Sequence, residues 1–253
     1  MIAAPLHAPA PVPRLLWTID QGPDGWVVLA FEDIDGRHPV EPWKELELKQ
    51  VVEALTDLGS ILTPPPIETE SAGAFFAGSL NGWATLLKGE EQRHDLHSGT
   101  HPDEQPTQGP LDDWSRGHLE QLAGIESSAP AAVAGDTLLH LDVRADNILL
   151  TPEGVLFVDW PHARTGAAWV NVLGLAASVA MQSGPDPETL LAMYAPIQAA
   201  PRDAVTATIV SLAGFFTHRS LLPEPPNIPN LRAFQAAQAA VCRDWIARRL
   251  GWT

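Results

Sequence analysis

Cysteine is almost absent from this sequence: Cys242 is the only one among 253 residues. A single thiol cannot form an intrachain disulfide, so nothing in the cysteine content calls for an oxidising compartment. Residues 1–13 lack both a basic start and an unbroken apolar run, because prolines interrupt them repeatedly, and this is not the pattern of a signal peptide. The most apolar stretch, residues 167–181, is too short to cross a bilayer. These absences predict a cytoplasmic protein.

Basic residues are also scarce. Lysine and arginine number 15 against 31 aspartates and glutamates, which gives a formal net charge of −16. So acidic a surface repels phosphate backbones and anionic lipids, which argues against nucleic acid and membrane surfaces as partners. Hydrophobic residues make up 45% of the chain and charged residues 18%, as expected for one large or two small folded domains.

The hydrophobic pattern predicts a small amount of β-structure in front of a mostly helical remainder. Apolar runs at 14–19 and 26–31 flank a Gly/Pro/Asp turn, which is typical of a hairpin. Short β-type runs follow at 137–139, 148–150 and 155–158. A helix is expected from Pro42 to about Leu58. Further helices are expected at 111–126, 168–182, 187–196, 202–221 and 230–250. The predicted fold class is α+β.

Polar and ionisable side chains concentrate between two of these β-type runs, in the segment LLHLDVRADNILL (138–150), which a turn joins to VLFVDW (155–160). Asp142, Asn147 and Asp159 offer the oxygen ligands that Mg²⁺ prefers, and Mg²⁺ usually takes one or two carboxylates together with substrate phosphates. Arg144 supplies a fixed positive charge suited to a transferring phosphoryl group. We therefore predict a functional site in this segment.

The motif HLDVRADN resembles the catalytic loop of the aminoglycoside phosphotransferase family, whose pattern is His-x-Asp-x-x-x-x-Asn and whose fold is protein-kinase-like. The resemblance implies that Asp142 is the catalytic base and that Asn147 and Asp159 hold Mg²⁺. Asp159 stands in Val-Asp-Trp, where protein kinases carry Asp-Phe-Gly. The resemblance also implies that Arg144 contacts the transferred phosphate and that His140 supports the loop.

A second resemblance concerns VVLAFEDIDG (27–36), which is similar to the last N-lobe strand of that family running into the hinge between the lobes. It implies that the Glu32 carbonyl and the Ile34 N–H pair with adenine, with Phe31 behind the ring. The implied organisation is partial N-lobe strands and hinge over residues 1–36. A helical C-lobe with the catalytic loop and the metal-binding hairpin then covers residues 37–253.

The chain departs from the family in its N-lobe and after the metal-binding aspartate. It shows no glycine-rich loop, and none of its lysines lies on a strand before the hinge. We therefore expect the 253-residue chain to bind MgATP weakly and to turn it over slowly. An uncovered edge of the N-lobe sheet is expected to self-associate through Trp17 and residues 26–31. Asn171 stands where the family usually has an aspartate, which is expected to loosen the support of the catalytic loop.

Taken together, these residues imply an ATP-dependent phosphotransferase that acts on a hydroxyl of a small molecule. Aminoglycosides, macrolides, choline-like alcohols, sugars and hydroxylated amino acids all remain open as acceptors, and ATP is not distinguished from GTP. The alternative is a kinase-like protein that binds a ligand or partner without efficient phosphotransfer. Trp160 and Trp169 are expected to line the site. His94, His97 and His101 are expected to be solvated rather than to bind zinc.

Overall fold

The computed structural model describes residues 10–23, 25–96 and 110–252. Within those ranges, six strands form three two-stranded antiparallel sheets, β1 with β2, β3 with β6 and β4 with β5. Their bounds are β1 Leu15–Asp20, β2 Val27–Phe31, β3 Thr137–Leu139, β4 Ile148–Thr151, β5 Gly154–Phe157 and β6 Arg164–Gly166. Both predicted hairpins are present, and the α+β class is confirmed.

Helices make up most of the remainder of the described chain. Their bounds are α1 Glu45–Ile61, α2 Ala72–Ser79, α3 Gly82–Leu96, α4 Asp113–Gly117, α5 Leu119–Glu126, α6 Ala129–Ala132, α7 Asn171–Met181, α8 Pro187–Met193, α9 Arg202–Ser220 and α10 Leu231–Leu250.

Several helix boundaries differ from the sequence prediction, and two of these differences have a clear structural cause. Helix α1 begins at Glu45 rather than at Pro42, because Lys44 is still extended and the indole of buried Trp43 is held by Gln182 (2.9 Å). The helix predicted over 111–126 is divided at His118. Helix α4 is only five residues long. It begins after its N-cap Asp112, whose carboxylate accepts the Ser115 N–H.

Contacts between Cα atoms divide the chain into two compact units. The first unit comprises Met1–Glu70 and Gly135–Ala199. Its core is formed by the apolar face of α1, which packs against β3, β5 and α7. That face repeats with helical spacing and is buried. Its members are Leu48, Val51, Val52, Leu55 and Leu58.

The second unit comprises Ser71–Ala134 and Ala200–Thr253, and α9 is central to it because α3, α5, α6 and α10 all pack against it. The buried Glu126 carboxylate accepts the N–H groups of Trp83 (3.1 Å) and Ala84 (2.8 Å), which caps the first turn of α3. Cys242 is fully buried here, and burial raises the pKa of its thiol to about 12. The thiol is therefore protonated and unreactive at neutral pH.

The β1–β2 hairpin exposes much apolar surface, including Trp17 at 52% and Trp26 at 79%. Neither outer edge of this sheet is paired with another strand in the described ranges. Self-association through it stays a prediction, as does the lobe boundary after Gly36. The side chains of His94, His97 and His101 fall outside the described part of the chain. None of the described helices combines the length and hydropathy needed to cross a membrane.

Substitution of two leucines of α1 tests how much burial in this core contributes to the free energy of unfolding. Leu55→Ala is expected to lower the free energy of unfolding by about 2–5 kcal/mol, because Leu55 is fully buried and its loss leaves a cavity. Leu46→Ala is the matched control, since Leu46 lies on the same helix but is 69% exposed. The control should change stability by no more than about 0.5 kcal/mol. Urea denaturation of both variants measures the difference, and equal losses would contradict the packing described above.

Candidate active site

The predicted catalytic loop connects β3 to β4, and its side chains alternate between core and solvent. Val143 and Ala145 are buried at 1% and 4% exposure, and a single 3₁₀ turn over Ala145–Asn147 leads into β4. This anchoring leaves Asp142 and Arg144 partly exposed on the outer side of the loop. Val143 and Ala145 therefore anchor the loop in the core, and Asp142 and Arg144 face solvent.

Asn171, the first residue of α7, holds the start of this loop. Its Oδ1 accepts the backbone N–H groups of both His140 (3.0 Å) and Leu141 (3.1 Å). Leu141 has a φ of 64°, in the left-handed region that residues with a side chain seldom adopt. The two hydrogen bonds stabilise this turn, so the amide still supplies an acceptor where the family usually has a carboxylate. The loosening expected from the loss of that charge stays a prediction.

The His140 ring links the loop to Val158, the residue before Asp159. The ring is fully buried, its Nε2 donates to the Val158 carbonyl (2.8 Å), and its Nδ1 accepts the Asp142 N–H (3.2 Å). These two partners assign the hydrogen to Nε2 of a neutral ring. Burial lowers the pKa of His140, against the opposing effect of the Val158 carbonyl and the nearby carboxylates. The ring also packs on Trp160, with 4.5 Å between the ring centroids.

The side chain of Asn147 is hydrogen-bonded to Asp142 through its nitrogen only. Its Nδ2 donates to the main-chain oxygen of Asp142 (2.9 Å) and to Oδ2 of the same residue (3.1 Å). This leaves Asn147 Oδ1 without a partner in the described ranges. The Val158 N–H donates to the Asn147 carbonyl (3.0 Å), so the residue before Asp159 is tied directly to the catalytic loop.

Asp159 has the left-handed φ of 62° and is exposed. Across the residues that the structure describes, its carboxylate makes no hydrogen bond and no ion pair. An amide oxygen and a carboxylate form a donor set suited to Mg²⁺ that also binds substrate phosphates. No cluster of three or more His, Cys, Asp or Glu side chains positioned for a metal occurs in the described segments.

Arg144 carries its positive charge between carboxylates. It donates from Nε to Asp146 Oδ1 (3.0 Å) and from Nη2 to Asp146 Oδ2 (2.6 Å), while its Nε lies 3.7 Å from Asp142 Oδ1. Burial tends to lower the pKa of Arg144, but the bond to Asp146 and the charges of Asp142, Asp146 and Asp159 outweigh burial and raise it. Sequence reasoning missed Asp146, although its position two residues after an arginine in a loop is a usable signal.

A cavity of about 790 Å³ brings the predicted hinge together with the segment that follows β5 and contains Asp159. Phe31, Glu32 and Ile34 all line it, as do Asp159 and Trp160. Asp142, Arg144 and Asn147 are not among its lining residues, and neither is Trp169, which is buried before α7. Sequence reasoning also missed four apolar wall residues, although they lie on predicted strands: Val27, Leu29, Leu149 and Phe157.

In the predicted hinge, one backbone carbonyl and one backbone N–H have no hydrogen-bond partner among the described residues. The Glu32 N–H donates to the Arg14 carbonyl (3.0 Å), and the Glu32 carboxylate accepts the Arg14 N–H (2.8 Å). The Glu32 carbonyl and the Ile34 N–H, by contrast, have no protein partner within the described residues. These are the two groups that the family resemblance assigns to the adenine edge.

The model of the phosphotransferase enzyme family matches residues 2–203, which is most of the chain. The chain belongs to this family. No curated protein sequence matches it at a significant level.

Solved structures of related phosphotransferases show the same fold. A choline/ethanolamine kinase family protein from Mesorhizobium loti is 18% identical, with a TM-score of 0.64 over 99% of this chain and 82% of the other. An aminoglycoside phosphotransferase from Alicyclobacillus acidocaldarius is 13% identical, with a TM-score of 0.57 over 95% and 77%. An amicoumacin kinase solved with AMP-PNP and Ca²⁺ is 11% identical, with a TM-score of 0.52 over 95% and 73%. The kinase-like fold implied by the catalytic motif is confirmed.

In this phosphotransferase, removal of the Asn171 acceptor should unfasten the catalytic loop. Asn171→Ala leaves two backbone N–H groups unsatisfied, and we expect it to lower the free energy of unfolding by about 2 kcal/mol or more. Asn171→Asp keeps the acceptor oxygen at the start of α7, so it should retain most of the stability. Urea denaturation and amide hydrogen exchange at His140 and Leu141 measure both effects. Equal destabilisation by the two substitutions would show that the acceptor oxygen is not what matters.

Proposed function

We propose that this phosphotransferase transfers the γ-phosphoryl group of ATP to a hydroxyl group of a small molecule. The main support is the cavity that joins the hinge to Asp159. Asp159 in turn follows Val158, which is hydrogen-bonded to both His140 and Asn147 of the catalytic loop. One nucleotide placed in the cavity would therefore have its base at the hinge and its phosphates toward the loop.

The hinge fits adenine. The unused Glu32 carbonyl would accept from the amino group of adenine, and the Ile34 N–H would donate to the neighbouring ring nitrogen. Guanine presents an oxygen in place of that amino group, so its edge would face the Glu32 carbonyl with the wrong polarity. The cavity volume lies within the range of small-molecule sites, and Leu149 and Phe157 supply apolar walls for the ring.

The donor atoms fit Mg²⁺. Asn147 Oδ1 and the Asp159 carboxylate would hold the ion, and two protein ligands are the usual number where phosphates complete the coordination. A Mg²⁺ ion held by these residues would offset the negative charge of the substrate phosphates. The structure of the amicoumacin kinase with AMP-PNP and Ca²⁺ supports the same pairing of nucleotide and divalent cation in this fold.

The residues of the loop divide the remaining work. Asp142 orients the acceptor hydroxyl and takes its proton, and Asn147 holds the Asp142 carboxylate in place. Arg144 stabilises negative charge on the transferring group. Catalysis of this kind depends mainly on positioning and electrostatics. The acceptor is proposed only as a class. Choline, ethanolamine and an aminoglycoside are the first compounds to test, because two structural neighbours are named as a choline/ethanolamine kinase family protein and an aminoglycoside phosphotransferase.

The catalytic role of Asp142 is tested by Asp142→Asn. We expect turnover with radiolabelled ATP and an active acceptor to fall by about 10² or more, with little change in MgATP affinity, since the base acts in the transition state. Asp136→Asn, at an exposed position before β3, is the matched control and should be neutral. Undiminished turnover in Asp142→Asn would remove the base assignment. Tight ligand binding without any transfer in the unaltered protein would favour the alternative of a binding protein.

The metal role of Asp159 is tested by nucleotide titration. Calorimetry of the unaltered chain should show tighter binding of ATP with Mg²⁺ than with EDTA. Asp159→Ala should abolish that difference while the protein stays folded, because an exposed side chain contributes little to the core. Asp57→Ala, on the exposed side of α1, is the control. A Mg²⁺ effect that persists in Asp159→Ala would exclude Asp159 as a ligand.

A further inference from the structure

The ion pair between Arg144 and Asp146 has a defined, bidentate geometry. Both oxygens of Asp146 are engaged, one by Nε and one by Nη2 of Arg144, in a two-point fork. Ala145 between them is buried, which puts the two side chains on the same outer side of the loop. Asp146 itself is 64% exposed, so the pair adds little to the stability of the fold. A role in orienting Arg144 is a better account of it.

Asp142 competes for the same guanidinium. The Arg144 Nε is 3.0 Å from Asp146 Oδ1 but 3.7 Å from Asp142 Oδ1, which is beyond hydrogen-bonding distance. The second oxygen of Asp142, Oδ2, is taken by the Asn147 amide. Oδ1 is therefore the oxygen that remains for an acceptor hydroxyl, and a direct bond from Arg144 would use one of its two lone pairs and make it a weaker proton acceptor.

We propose that Asp146 is a positioning residue that draws the Arg144 guanidinium away from the catalytic carboxylate of Asp142. The inference rests on the proposed function, because it assigns Asp146 a task only if Asp142 receives a hydroxyl proton. The fork keeps Arg144 beside the loop as a cation for the phosphoryl group and keeps Asp142 Oδ1 accessible. Loss of the Asp146 charge lets Arg144 bond to Asp142 instead.

Kinetics of four variants test the proposal. Asp146→Asn keeps the shape of the side chain but loses one acceptor and the charge, and it should lower kcat about tenfold with KM for MgATP changed less than twofold. Asp146→Glu retains a carboxylate and should recover most of kcat. Arg144→Met should lower kcat by itself. Asp146→Asn added to Arg144→Met should lower it no further, because residues that act through one contact are not additive.

Crystal structures of the unaltered protein and of Asp146→Asn provide a readout that does not depend on activity. The distance from Arg144 Nε to Asp142 Oδ1 should shorten to hydrogen-bonding range in the variant. An unchanged distance, an unchanged kcat or additive effects in the double variant would each overturn the role of Asp146. If the unaltered protein transfers no phosphate but Arg144 still closes on Asp142 in the variant, the positioning stands and the proposed function fails.

Discussion

The neutral, buried imidazole of His140 is the contact on which the rest of the candidate site depends. It bonds to the Val158 carbonyl on one side and to the Asp142 N–H on the other, so it fixes the spacing between Asp142 and the segment leading to Asp159. Burial is what keeps this ring neutral, and a neutral ring can donate from one nitrogen while accepting at the other. A protonated ring would have no acceptor for the Asp142 N–H.

Around this fixed centre, the loop adopts backbone angles that need outside support. Leu141 and Asp159 both have positive φ, which costs free energy at residues with side chains. Asn171 compensates at the first position by accepting two adjacent N–H groups. At the second, the Trp160 indole donates to the Phe157 carbonyl (3.0 Å) and packs on His140, which restrains the turn that follows.

The three carboxylates of the candidate site differ in their partners. Asp142 is held by Asn147, Asp146 is paired with Arg144, and Asp159 has no partner in the described part of the chain. In a chain of net charge −16, a single arginine among three carboxylates cannot balance a triphosphate. A divalent cation at Asn147 and Asp159 would supply the missing positive charge. The proposed metal would therefore offset negative charge that Arg144 alone leaves unbalanced.

The sequence by itself determined the class of the fold and predicted which residues carry the chemistry, and those roles stay predictions. Apolar runs on either side of a turn in 14–31 and in 148–158 predict both hairpins, because Gly, Pro and Asp favour the tight turn that joins two strands. The motif HLDVRADN identifies Asp142, Arg144 and Asn147 because its residue types and spacing are specific. Helix ends were less predictable: the fixed position of Trp43 beside Gln182 delays α1 to Glu45, and that contact joins residues far apart in the chain.

Only the tertiary structure decided how these residues work together. It assigned the acceptor role of Asn171, the tautomer of His140 and the pairing of Arg144 with Asp146 rather than with Asp142, because each depends on distances of a few tenths of an ångström. It also placed Leu149 and Phe157 opposite the hinge as walls of one cavity. Periodicity shows that a side chain is apolar and on a strand, but which surface it faces is set by packing between segments distant in sequence.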